Sequence, residues 1–406
     1  MTPAPTPPHD GSSVRSELPH APAATTVTYP TEETAEPAEI DERPPSPWDR
    51  VLTIVTFMAV ATLVTTLGVS FGRALNYPGE ASVAVRSVDW VRDHGGGPVV
   101  DAAENWWYSH HRETGTARLT PGTAATDANA PTALRPIGAH QVAGDGEGVW
   151  ESLPTARAGE HAGYATFLRP DPDHPEVMTA VARFDQHLVS TQLVAGTREP
   201  ALDPSPDRGQ VPAALRPRLV ATFNSGYKSL DSNGGYFADE RFLRPLRVGA
   251  ASAVIDDNGK LTIDQWGRDA HFGPHIAAVR QNLALIVDDG HPVAGLEDNL
   301  GNRWGSAGNQ HQYTWRSAIG SDVAGNLYYV AGDQLTLATL ARALGATGAV
   351  RGMALDIHPN MVHLFTYRHD AVAAEPIPSK LLDTMRGPSD RYLTPDRRDF
   401  FAITER

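Results

Sequence analysis

A chain of 406 residues and 43.6 kDa has room for one large core or two modest ones, and 20% charged with 41% apolar residues, diluted by 36 Gly and 33 Pro, excludes coiled coil and collagen. A net charge of −14 and a pI near 5.5 argue against a nucleic-acid partner, because a phosphate backbone rewards a basic face. With no cysteine, thiolate nucleophiles, Cys-ligated zinc, iron–sulfur clusters and disulfides are excluded, so any metal would have to use His, Asp, Glu or backbone oxygen.

Residues 1–47 hold 11 of the 33 prolines and a single aromatic, Tyr29, too little apolar area to offset the entropy of ordering. A disordered acidic tail is expected there. From Val51 to Phe71 run 21 uncharged, mostly apolar residues, which at about 1.5 Å per residue match the ~30 Å hydrocarbon layer. Trp48 and Arg50 on one side and Arg73 on the other supply interface anchors, so 48–73 reads as a transmembrane helix. Flanking charge leaves its orientation open, since Arg43 and Arg50 precede the span and Arg73 and Arg86 follow it.

Beyond the span, residues 74–113 predict a juxtamembrane helical hairpin. Ala84, Val88 and Val91 recur at helical spacing before a Gly95-Gly96-Gly97 stop, and Pro98 then leads Val99, Ala102, Ala103 and Trp106. Trp106, Trp107 and Tyr108 fit either the headgroup level of a membrane or packing on the main domain, the latter being the expectation. Residues 114–148, rich in Gly, Ala, Thr and Pro, read as a linker.

The domain from 149 to 370 reads as short strands broken by turns. Ala251 to Ile255 and Leu261 to Trp266 flank Asp257-Asn258-Gly259, a hairpin signal because Asn and Gly accept positive φ. Leu283 to Val287 runs into Asp288-Asp289-Gly290, and Ser317 to Ile319 with Leu327 to Val330 flank Gly325-Asn326, two more hairpins. Leu335 to Leu344 predicts a helix, with Leu337, Leu340, Ala341 and Leu344 as its stripe, Asp333 as N-cap and Gly345 as stop. Val350 to Ile357 then forms a strand with Asp356 near its carboxyl end, where polar sites commonly lie. The fold class expected is α+β: a mixed, mainly antiparallel β-sheet domain with packed helices, preceded by one transmembrane helix and a disordered tail. Residues 371–406 are expected as a C-terminal extension.

Several of these segments carry a resemblance. Ala221-Thr-Phe-Asn224-Ser225-Gly226-Tyr227, Trp315 to Gly320, the Gly332-Asp-Gln-Leu-Thr-Leu helix opening and Ala349 to Asp356 resemble, in order and spacing, the phosphodiester glycosidase family, over roughly residues 150 to 370. The whole layout is similar to a membrane-anchored actinobacterial branch of it, with WGRD at Trp266 to Asp269, VRQNL at Val279 to Leu283 and RDFFAI near the end. The resemblance implies an exported domain with a cytoplasmic N-terminus that hydrolyses a sugar-1-phosphodiester in cell-envelope glycan or its precursor, with no cofactor.

Breaking a sugar C1–phosphate bond passes through an oxocarbenium-like state, which calls for a carboxylate near C1 and cationic donors on the phosphate. Asp356, a carboxylate in the apolar run MALDI, is the candidate carboxylate; Arg316 is a catalytic candidate for the phosphate clamp, and Asn224 would bind substrate or orient the carboxylate. Arg280, Asn282, His358 and Gly226 are candidate substrate-binding residues. Each has a structural alternative: Arg316 and Arg280 as halves of ion pairs, Asn224 as a turn residue that tolerates left-handed backbone. Two departures stand out. Where the family carries an aspartate followed by a glycine-rich loop able to approach phosphate, this chain has Asp356-Ile-His-Pro-Asn-Met361, and Ser225 replaces a glycine of the upstream signature. The replacement suggests a weaker idea, Asp356, His358 and His363 as ligands of a divalent ion, while His110, His111, His271 and His275 read as solvated or capping residues. The alternative function is a non-catalytic envelope-polysaccharide binding or assembly protein.

Overall fold

The computed structural model describes residues 46–77, 82–110, 117–120, 130–138, 146–155, 161–200, 209–305, 308–370, 373 and 375–406. The expected tail lies almost wholly outside them. The chain divides into two compact units, Met1–Leu63 and Val64–Arg406.

Helix α1 spans Pro47–Leu75. Ser46 N donates to Asp49 Oδ2 at 2.9 Å and Asp49 N to Ser46 Oγ at 3.2 Å, a reciprocal cap ahead of a run that forms no polar face. With 29 residues and a mean hydropathy of 2.1 in its most apolar stretch, α1 is long and apolar enough to cross a membrane. The expected helical hairpin follows as α2 (Val83–Val91) and α3 (Gly97–His110). Ser82 Oγ caps α2 by accepting from Val85 N, and Gly95 turns the chain at φ 87°, a left-handed conformation that costs glycine nothing.

Among the described residues the rest is α+β, three antiparallel sheets with few helices, as expected. The eight-stranded sheet is centred on Leu327–Leu335, Thr314–Ser321 and Arg351–Ile357. One five-stranded sheet has Ile276–Gln281 at its middle; the other orders Ile377–Lys380, Leu364–Arg368, Leu219–Asn224, Phe400–Glu405 and Val189–Val194. The three predicted hairpins form in register, for example Ile255 opposite Leu261 around Gly259. One apolar cluster joins all three sheets: Phe184, Ile319 and Leu355 from the large sheet, Ala253 and Ile263 from the second, Phe223 and Phe401 from the third. Burial there supplies the main stabilisation, at roughly 25 cal/mol per Å² of apolar surface.

Two short helices complete the fold, α4 (Ser229–Ser232) and α5 (Leu337–Ala346). The stripe Leu337, Leu340, Ala341 and Leu344 packs α5 on the outer face of the large sheet, against Val181, Ile286, Ala318 and Val330. The expected start and stop of this helix are corrected. The preceding strand continues through Leu335, and the cap is Thr336, whose hydroxyl accepts from Thr339 N while Thr339 Oγ1 accepts from Thr336 N. That box satisfies the open amides better than Asp333, whose carboxylate accepts from Gln334 N, and the helix ends at Ala346 past Gly345.

Of the stretch expected as a linker, Ala130, Leu134 and Ile137 pack on the cluster around α5, and Leu119 pairs with Leu382. Of the stretch expected as a C-terminal extension, Phe400–Glu405 is an inner strand, hydrogen-bonded on one side to Leu219–Asn224 and on the other to Val189–Val194.

Candidate active site

The strand carrying Asp356 does not pair evenly. Ala318 stands opposite Ala354 and Arg316 opposite Ile357, so Leu355 and Asp356 together face the single residue Ser317 and a bulge falls there. Bulges re-aim side chains. His358, the first residue past the strand, takes φ 79°, which ends the extended run. Asp356 thereby lines a cavity of 1010 Å³, walled by the turn after Leu219–Asn224, by Asn282 to Leu285, by Arg398, and by Asp89, Arg92, Asp101, Glu104 and Tyr108 of the helical hairpin.

Asp356 is buried, and Arg398 meets it with Nη2 3.0 Å from Oδ2; Ile357 N donates to Oδ1 at 2.9 Å. Burial pushes its carboxyl up to about 7 against the pull of Arg398 and the Ile357 amide, and Asp231 adds to the rise. Asp231 lines the same cavity from α4 and is itself raised by burial, with Lys228, Arg398 and Arg92 opposing. Asp231 and Asp356 thus face one concavity with the hairpin carboxylates, and Asp101 adds to the rise at Asp231. Arg398 Nη2 also donates to Gly226 O at 2.7 Å. Gly226 sits at φ 153°, and a Cβ there would fall 2.6 Å from Asn282 Nδ2, so this turn needs glycine.

The other sequence candidates are distributed as follows. Asn282 lines the cavity, with Nδ2 donating to Ala354 O at 2.6 Å and Leu355 O at 3.0 Å and Oδ1 accepting from Tyr227 N at 3.3 Å, so it locks the bulge to the turn. His358 lines it too, stacked on Tyr108 at 4.8 Å with Nε2 3.3 Å from Glu104 Oε2. Burial raises Glu104, but His358 and Arg92 outweigh it and hold the carboxyl below its usual range.

Asn224 has all its amide groups engaged. It donates to Ser317 Oγ at 3.0 Å and accepts from Tyr329 OH and His363 N, each at 3.2 Å, tying two sheets behind the cavity wall. Arg280 is buried in an ion pair, Nε to Asp399 Oδ2 at 2.7 Å, and donates to Tyr227 O at 2.5 Å. Arg316 does not meet Asp356. Its Nε donates to Leu335 O at 2.7 Å and its Nη2 to Asn309 O and Gln312 O, and burial without a carboxylate lowers it to about 10. The guanidinium opposite Asp356 is that of Arg398. Asp356, His358 and His363 do not form a metal-holding group among the described residues; His363 lies 3.2 Å from Arg391 Nη1. Ser225, the departure from the upstream signature, donates to Asp399 O at 2.9 Å and so braces the carboxylate partner of Arg280.

Arg398, Asp231, Tyr227 and the hairpin carboxylates are the residues that sequence reasoning misses. The one local signal is the pair Arg397-Arg398, one residue (Asp399) ahead of an apolar strand. The hairpin docks through Asp89 to Lys228 and to Arg397 (3.5 Å), and through Asn105 to Gln312.

No protein-family model matches the chain, and no curated protein matches it. Solved structures do. The zebrafish N-acetylglucosamine-1-phosphodiester alpha-N-acetylglucosaminidase catalytic domain, auto-inhibited by its pro-peptide, aligns with a TM-score of 0.40 and 14% identity over 63% of this chain and 88% of that one. A hypothetical protein from Synechocystis aligns at 0.31 and 16% over 57% of this chain and 59% of that one, and a putative exported protein from Burkholderia pseudomallei at 0.31 and 11% over 56% and 74%.

Proposed function

We propose that the chain is a membrane-anchored hydrolase that cleaves a sugar-1-phosphodiester in cell-envelope glycan or its precursor, with α1 in the membrane, the N-terminus cytoplasmic and the sheet domain outside. The observation that carries this reading is Asp356: a buried carboxyl titrating at about 7, held 3.0 Å from a guanidinium in a cavity of 1010 Å³. A carboxyl in that range can hold and release a proton at neutral pH. Arg398 offers a donor fork suited to a phosphoryl group.

In the reaction, a water oxygen bonds to the sugar C1 while Asp356 takes the water's proton. The bond from C1 to the phosphate oxygen breaks, and its electron pair leaves with the phosphomonoester, whose charge Arg398 stabilises. A phosphate leaves without a general acid. Asp231 faces the same cavity, its carboxyl raised by burial against the pull of Lys228, Arg398 and Arg92.

The test is release of sugar and phosphomonoester from a panel of sugar-1-phosphodiesters by the full chain in detergent micelles. Asp356→Asn lowers kcat by about 10²–10⁴ and removes the ionisation near 7 from the rate profile; Arg398→Gln lowers it by about 10²–10³. Turnover that survives Asp356→Asn overturns the mechanism. A second reading, a non-catalytic glycan binder, is favoured by the loop Asp356-Ile-His-Pro-Asn-Met361, which offers no run of glycine amides to a phosphate. Glycan binding with no turnover on any diester selects it.

A further inference from the structure

A second cavity, of 740 Å³, adjoins the first, and the two share Asp89, Lys228 and Arg398. Its wall carries seven cationic side chains against four carboxylates, in a chain whose net charge is −14. Some of that charge is neutralised locally: Arg391 Nε lies 2.6 Å from Asp396 Oδ2, and Lys228 pairs with Asp89. Arg397 and Arg398 also have carboxylates beside them, Asp89 at 3.5 Å and Asp356 at 3.0 Å, but with Asp356 counted the seven cations still face only five carboxylates, and Arg198 and Arg398 both act on the charge of Arg397. Arg198 and Arg397 place their guanidinium carbons 5.1 and 5.6 Å from the Tyr77 ring centroid, an arrangement that holds two like charges close together.

Two donors on this wall make no hydrogen bond, Arg397 Nη1, which has Asp89 Oδ2 3.5 Å away, and Arg398 Nε. Guanidinium donors left unmet inside a fold are costly unless an acceptor arrives. His363 lines the same wall, and burial keeps its imidazole neutral. A third hollow, of 580 Å³, runs from Thr65 to Tyr77 along the end of α1 and shares Asp93 and Arg198 with the basic cavity. The hollows therefore form a series from α1 through the arginines to Asp356.

We propose that the basic cavity is a subsite for a second phosphoryl group, so that the substrate is a pyrophosphate or a bis-phosphate rather than a simple diester. Tetrahedral oxyanions match several planar arginine forks at once, which a lone carboxylate does not. This deepens the hydrolase reading and rests on it for the word substrate; the anion site itself stands on the arginines alone. Arg398, which lines both cavities, spaces the bound phosphoryl from the C1–oxygen bond that the water activated by Asp356 displaces.

The probe is inorganic pyrophosphate, titrated calorimetrically into the full chain in detergent micelles and again in nanodiscs of phosphatidylcholine with and without phosphatidic acid. Saturable binding is expected, weakened about tenfold or more by Arg198→Gln and by Arg397→Gln, the size of one charge-assisted hydrogen bond, and retained in Asp356→Asn. If phosphatidic acid in the nanodisc abolishes pyrophosphate binding, the natural group is a lipid headgroup; if binding is unchanged, it is a soluble phosphate, and the subsite stands in both cases. Absence of saturation, or equal affinity in the parent and in both arginine variants with unaltered melting curves, overturns it. Binding without turnover on any diester removes the hydrolase reading and leaves the subsite, whereas Asp356-dependent turnover with no pyrophosphate binding does the reverse.

Discussion

Asp356 changes the pH dependence of folding as well as of any reaction. Its carboxyl moves from 3.8 to about 7 on folding, so its contribution is fully present below about pH 4 and is lost as the pH rises through 7, where the native state must carry a buried charge. His363 acts in the opposite sense: burial holds it neutral, and stability that is present above pH 6.5 is lost as the pH falls. The two are separable by mutation. Relative to the parent, Asp356→Asn gains stability between pH 4 and 7, by roughly 4 kcal/mol at the upper end. Thermal melts of both proteins at a series of pH values check this, and parallel curves would refute the raised carboxyl. Asp356 is legible in sequence because an acid inside MALDI needs a reason to be buried. Arg398 is not, because its partners Asp356 and Gly226 lie 42 and 172 residues away and no local pattern encodes such a meeting.

At the scale of elements, the helical pair α2–α3 is readable from its 3.6-residue period and its glycine stop, but its position is not. Where it docks depends on Asp89 finding Lys228, Asn105 finding Gln312 and Glu104 finding His358, each an encounter across the fold. A charged helix face reads in isolation as solvated. The half-buried ion pairs sit where screening is weaker than at the open surface. Replacing Asp89 by Asn and Glu104 by Gln together therefore loosens this roof: amide exchange in α2 and α3 accelerates about tenfold or more, equivalent to ~1.4 kcal/mol, while that in α5 is unchanged. Mass spectrometry of exchanged peptides measures it, and uniform protection in both proteins would show that the ion pairs do not hold the hairpin. The exact start of α5 escapes sequence reasoning for a smaller reason: Asp333 and Thr336 are both good caps, and strand pairing through Leu335 decides between them.

For the molecule as a whole, the fold class follows from hairpin turns and strand alternation, and that much is legible. The closing of the sheets is not, because the short run Phe400–Glu405 carries no mark of being an inner strand until its two neighbours are known. Phe401 lies in the cluster common to all three sheets, 5.3 Å from Phe223. Phe401→Ala should cost about 3–5 kcal/mol. Since the cluster is shared, near-ultraviolet and far-ultraviolet signals of the variant fall together at one lowered midpoint. Separate midpoints would mean that the sheets melt independently.

The shared cavity wall has a consequence for biosynthesis. Asp89 and Glu104 leave the ribosome well before Arg398, so in between the acidic roof of the cavity is exposed without its floor. Until the segment around Arg398 has emerged and Phe400–Glu405 has entered between two strands already made, the cavity wall is incomplete, and a ribosome stalled before that point would display a half-built pocket.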